Sequence, residues 1–219
     1  MQKKIAKILD IYEEYKIMPA LQMHMLRVAA VASMICDSID VPVNKKDIIT
    51  ACLLHDMGNI LKFKLDAFPE FLQPNGLEYW QKVKDEYLEK YSSNEYAASI
   101  EIAREINVSD RVLELIESIS FLGASNNAKG DNFGKKIMEY CDNRVDPFGV
   151  VSLEKRLIDL RTRYAHRDLE RGPSFREVFE KSVRQMEEQI FSHCKIKPED
   201  INNETVAPII EELKDFMIE

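Results

Sequence analysis

The chain has 219 residues, 45% hydrophobic and 31% charged, enough apolar material for one full core and ordinary for a globular protein. Its formal net charge of -8 argues against nucleic-acid polymers and membrane surfaces as partners, both being anionic, but leaves room for a small phosphorylated metabolite in a locally basic pocket. Cys36, Cys52, Cys141 and Cys194 lie far apart without a Cys-x-x-Cys pair, no long apolar run is present, and MQKKIAKILDIYEEY lacks an apolar secretion core, so a reduced, cytoplasmic protein is expected.

Hydrophobic spacing reads as helical almost throughout. Ile5, Ile8, Leu9, Tyr12 and Tyr15 predict a first helix over about 3–16. Pro19 suits the first turn of a second, PALQMHMLRVAAVASMICDSI, apolar around most of its circumference and therefore central. Asn44 caps a third, with Asp47 three residues on and Val43 placed to staple its start; KKDIITACLLHDMG ends near Gly58. Residues 60–77 hold Pro69, Pro74 and aromatics without a sustained period, and read as a loop or broken segment that could close over something. Helical periodicity returns at 78–90, in NEYAASIEIAREI with Asn94 as cap, and in DRVLELIESI, whereas SFLGASNNAKGDN reads as a turn or loop.

FGKKIMEYCDNRV reads as a helix with apolar Phe133, Ile137 and Cys141, and Asp142 near its end. VSLEKRLIDLRTRYAHRD has Ser152 as cap, Lys155 in its first turn, and Leu153, Leu157 and Leu160 on one side. Arg171-Gly172-Pro173 breaks the chain, and Ser174 with Glu177 forms a capping box for a long amphipathic helix reaching about residue 193. Pro198 precedes a short acidic helix, and no strand pattern or repeat is evident. The expectation is an all-α bundle of about eight or nine helices, with a first unit over 1–172 and a C-terminal helical extension over 173–219 packed on it. The amphipathic stripe of that extension would bury against its own core or against a second copy in a homodimer.

Chemistry concentrates around ACLLHDMGNI, where His55 is followed directly by Asp56. Adjacent residues on a helix point about 100° apart, so the two can meet one ion only at the helix terminus; otherwise they are a surface or capping pair. His24 lies in MHMLRVAAVA, on a helix that reads as buried, where it is either a metal ligand or a core histidine bonded to a carbonyl or acid. Asp142 sits in MEYCDNRV, on the inner part of its helix, and needs a partner: a metal, or Arg27 or Arg144.

The order His24, LLHD at 53–56 and YCDNRV at 140–145 resembles the HD-domain phosphohydrolases, all-helical bundles with the motif H…HD…D. The resemblance covers roughly residues 19–167, and the segment VSLEKRLIDLRTRY after YCDNRV is similar to the basic helix of many bacterial members. It implies that His24, His55, Asp56 and Asp142 ligate a divalent ion, with Mn, Fe, Co, Ni and Zn all compatible with the donors. No histidine occurs between residues 56 and 165, where members with two metals carry more, so one metal is expected. The Glu-Asp pair of the guanosine-tetraphosphate hydrolases and the Gly-Tyr-Pro signature of the cyclic-di-GMP enzymes are absent as well.

The expected activity is hydrolysis of a phosphomonoester of a nucleotide or similar small metabolite. Cleavage of a phosphodiester or pyrophosphate-linked nucleotide is the alternative, as is a nucleotide-sensing protein with a vestigial site. Asp56 or Asp142 would take the proton of the attacking water, with Glu95 or Glu101 as a supporting carboxylate. Arg27, three residues after His24, and Arg144, beside Asp142, are candidate phosphate donors or partners of the ligand acids. Asn59 could bond a phosphate, and Lys62 and Lys64 could collect one from the following loop. Phe63, Phe68, Phe71, Tyr79 and Trp80 either stack a base or form an apolar satellite. His166 and His193 read as solvent-side residues, and Cys36, Cys52 and Cys141 as core.

Overall fold

The computed structural model describes residues 6–91, 93–120, 122–165 and 173–219. Within them the chain is a helical bundle of eleven α-helices: α1 (Ile8–Glu14), α2 (Pro19–Ser38), α3 (Lys45–Leu54), α4 (Gly76–Lys90), α5 (Glu95–Ile106), α6 (Asp110–Ser118), α7 (Ala124–Lys129), α8 (Phe133–Asp142), α9 (Leu153–Arg163), α10 (Pro173–Phe191) and α11 (Asn203–Leu213). The all-α expectation holds, including extra helices after residue 172.

The centre is α2. Met25, Val28, Ala29, Ala30, Val31, Ala32 and Ile35 are fully buried on several of its faces, and α3, α8 and α11 pack around it. Its alanines let neighbouring backbones approach closely, while Pro19 opens it where no intrahelical N–H bond is lost. By length and composition α2 is apolar enough to cross a membrane; here its apolar surface is taken up by the other helices. Against α3 lie α6 and α8, and α10 lies across α7 and α8. The extension is thus part of the same core: Phe179, Val183, Met186 and Ile190 of α10 and Val206, Ile210 and Leu213 of α11 join the one apolar cluster.

Local signals fixed many boundaries. Asn44, Asn94, Asn132 and Ser152 each accept a hydrogen bond from the backbone N–H three residues on. Five expectations are corrected. The first helix begins at Ile8, because Ala6–Lys7 instead pairs antiparallel with Met217–Ile218 in a two-residue ladder, also a correction to the absence of strands. Ile5 lies outside the described residues. SFLGASNNAKGDN contains α7, whose Ala124 and Ala128 are buried where α10 packs, so tertiary contact overrides a polar sequence. The helix expected from Ser174 begins at Pro173 and ends at Phe191, placing Ser174 inside its first turn.

The fifth correction shapes the site. The third helix ends at Leu54, not near Gly58, and the chain passes through a turn into a 3₁₀ segment, Asn59–Lys62. Gly58 seats that turn directly on α5: a Cβ there would lie 2.5 Å from the Glu95 carbonyl and 2.7 Å from the Ala98 Cβ. Its N–H donates to Ser99 Oγ at 2.9 Å, and that hydroxyl donates to the Glu95 carbonyl at 3.0 Å. A side chain must push the turn away from α5. Gly58→Ala is expected to destabilise the fold by about 1–3 kcal/mol, read as a lower urea midpoint; an unchanged midpoint would show that α5 yields freely.

Candidate metal centre

Three elements bring the donors together: α2 carries His24 in its second turn, the end of α3 carries His55 and Asp56, and the last turn of α8 carries Asp142. His55 is the C-cap of α3, so the chain leaves the helix between it and Asp56, and both side chains meet the cluster. His24 Nε2 donates to Asp142 Oδ1 at 3.0 Å and lies 3.5 Å from Asp56 Oδ2. His55 Nε2 is 3.5 Å from Asp142 Oδ1 and 3.6 Å from Asp56 Oδ1. The donor atoms of His24, His55 and Asp142 all fall within 4.8 Å of one another.

His55 supplies the test of whether this donor set fits a metal. Its Nδ1–H donates to the Cys52 carbonyl at 2.8 Å, which orients the ring and leaves Nε2 toward the acids. That Nε2 is buried and has no hydrogen-bond partner. A buried polar atom without a partner is costly unless something fills the place. Bonds of about 2.1 Å around one ion put neighbouring ligand atoms roughly 3–3.5 Å apart, in line with the separations here. His24, His55 and Asp142 therefore form a cluster able to coordinate one divalent ion, with Asp56 beside it.

The electrostatics agree. Burial opposes charge on His55, yet Asp56 and Asp142 raise its pKa to about 9. Burial pushes Asp142 up, but the hydrogen bond from His24 and the adjacent His55 imidazole hold it well below the usual carboxylate range. In the metal-free chain a proton on the His55 imidazole takes the place of a cation.

The cluster opens into a cavity of about 620 Å³. Asn59, Lys62 and Lys64 line it as expected, and so do Phe63, Phe68 and Phe71. Lys62 keeps solvent exposure at the cavity wall; partial desolvation works against its charge, but Asp56, Tyr164, Tyr96 and Glu95 raise its pKa on balance. Phe68 and Phe71 stack at 5.3 Å, and Phe71 meets the exposed Phe148 at 5.8 Å. Trp80 belongs to the core, donating to the Leu72 carbonyl, and Tyr79 packs edge-on against it.

The two arginines singled out from sequence are elsewhere. Arg144 is buried and fully engaged: Nε donates to the Val151 carbonyl, Nη1 to the Tyr140 hydroxyl, and Nη2 to the carbonyls of Pro198 and Ile201. Its guanidinium ties the end of α8 to the segment before α11 and does not line the cavity, so it is withdrawn as a phosphate donor. Arg27 is also absent from the lining; burial lowers its pKa while Asp146 opposes this, so neither ligand acid is its partner. Glu101 is exposed and outside the cavity, whereas Glu95 lies close enough to Lys62 to act on its charge. His193 is partly exposed and bonds Asp40 at 2.8 Å, and His166 lies outside the described residues. Cys52 and Cys141 are core residues, with Cys36 at the core margin.

Sequence reasoning missed Tyr96, Glu139, Arg156 and Arg163, all on the cavity wall. Glu139 precedes Asp142 by one turn, and its burial, with the Asp142 charge, raises its pKa to about 8 despite hydrogen bonds from Ser120, Asn127 and Asn143. The helical spacing to Asp142 was the available signal.

Metal uptake must displace the proton from His55. Because the folded pKa lies near 9 and the ordinary value is 6.5, affinity is expected to rise with pH through neutrality and level off above about 9, close to tenfold per pH unit for one proton. Without metal the sign reverses: protonated His55 stabilises the fold fully below 6.5, and this contribution fades as pH rises toward 9. Chelator-competition titrations and metal-free unfolding midpoints at several pH values check both trends. His55→Ala and Asp142→Ala should each abolish binding of a single ion; retention of that ion by both would refute the site.

A family model, described as HD domain, matches residues 21–138, while no curated protein and no solved structure matches. With the match covering more than half of the chain and the H…HD…D residues converging as described, the chain belongs to the HD-domain family and carries the metal-coordinating motif of a metal-dependent phosphohydrolase.

Proposed function

We propose that the protein hydrolyses a phosphomonoester of a nucleotide or a similar small phosphorylated metabolite. The observation carrying this reading is the unpartnered, buried Nε2 of His55, which converges with His24 and Asp142 on the wall of an open cavity. A divalent ion held there lowers the pKa of water and draws charge from the phosphoryl group.

The chain's own residues supply the rest. Lys62, with its ammonium in reach of Asp56, is placed to hold a phosphate oxygen, and the buried Asn59 amide offers a further donor at the same wall. Asp142, held well below the carboxylate range, is a poor base. Asp56 lies 3.5 and 3.6 Å from the two imidazoles and faces the cavity, so it is the acid that takes a proton from the attacking water. Phe63, Phe68 and Phe71 offer apolar surface to the uncharged part of the substrate.

The test is a screen of nucleoside mono-, di- and triphosphates, cyclic nucleotides and sugar phosphates with defined divalent metals. Orthophosphate release that chelation abolishes is expected, and Asp56→Asn should lower kcat by about 10²–10⁴. Release of pyrophosphate, or of two phosphorylated products, would replace this reading with phosphodiester or pyrophosphate cleavage. Turnover indifferent to chelation would overturn it.

A further inference from the structure

The cavity continues past the metal ligands to α9. Arg156, Leu160, Arg163 and Tyr164 share one face of that helix, at spacings of four, seven and eight residues, and all four line the cavity. Asp159 is clasped from both sides: Arg156 Nη1 donates to Oδ2 at 2.6 Å, and Arg163 Nε donates to Oδ1 at 2.8 Å, with Nη2 on Oδ2. Among the described residues, one carboxylate thus serves two guanidiniums.

Arg156 is the unusual member. It is 8% exposed, and its Nε is buried without a hydrogen-bond partner. Of the acids lining the cavity, Asp56 and Asp142 belong to the metal cluster, and the others are directed elsewhere: Glu117 to Arg104, Asp146 to the amides of Phe148 and Gly149, and Glu139 to Ser120, Asn127 and Asn143. A buried guanidinium with only part of its donor fork engaged loses hydration without full repayment, unless an oxyanion completes it. Lys62 extends the basic wall, since its ammonium lies within electrostatic reach of both Tyr164 and Asp56. A volume of about 620 Å³ exceeds what one phosphate fills and falls in the range of sites for whole metabolites.

We infer that Arg156 and Arg163 form a second oxyanion subsite, so that the substrate carries two anionic groups, one at the metal ligands and one, phosphate or carboxylate, at α9. This rests on the phosphohydrolase reading for what happens at the metal, but the subsite itself needs neither metal nor turnover.

The experiment therefore begins with metal-free protein and inorganic phosphate, followed by calorimetry. Wild type and His55→Ala should bind phosphate alike, whereas Arg156→Gln should weaken it about ten- to a hundredfold, as for a lost charged hydrogen bond. Arg163→Gln, which alters a more exposed side chain, is the second variant and should weaken it in the same direction. In turnover, Arg156→Gln should raise KM for bisphosphates and phosphorylated carboxylates by a larger factor than for simple monoesters; which of the two classes suffers more identifies the second group. Phosphate binding unaffected by both substitutions, or no binding to the wild type, would overturn the subsite. Arginine-dependent binding without hydrolysis of any ester would preserve it and defeat the proposed reaction instead.

Discussion

The site depends on one hydrogen bond at the end of α3. A helix leaves its last carbonyls without intrahelical donors, and the Cys52 carbonyl finds one in Nδ1 of His55. That bond fixes the ring, so Nε2 is the only nitrogen left to face the acids. His24 and Asp142 then arrive from the second turn of α2 and the end of α8, rigid elements held by the core rather than by the site. Two carboxylates crowded beside two imidazoles are tolerable only with positive charge among them. A proton or a metal ion can supply it, and the competition between the two makes the centre sensitive to pH.

A second support of the site comes from α5. Its first turns hold the turn after α3: Ser99 bonds the Gly58 amide, and the Glu95 carbonyl sits where any side chain on Gly58 would go. Tyr96, on the same helix, lines the cavity. Ser99 and Glu95 thus brace the turn that leads on from His55 and Asp56.

What could be read from the sequence was what is decided locally. The caps at Asn44, Asn94 and Ser152, the apolar girth of α2 and the break over residues 60–77 are properties of neighbouring residues, and the structure has them. The cluster of His24, His55 and Asp142 was legible through the resemblance of its motif; buried polar side chains alone left a salt bridge or a capping pair equally open. Partner choice was not legible. Arg144 looked like a phosphate donor from its proximity to Asp142, yet it turns to carbonyls more than fifty residues away. Arg156 was not singled out from the sequence, and only the fold shows it buried at the cavity. Likewise α7 follows from contact with α10, which no window of its own residues contains.

The last helix bears on how the molecule comes into being. Because α11 packs on α2, the helix that carries His24 lacks one of its neighbours until residues 203–213 have been synthesised. Contacts of such long sequence separation close slowly, since the intervening chain must first be ordered. A nascent chain halted before residue 203 would leave an apolar flank of its central helix open to solvent, and with it a target for aggregation or for a chaperone.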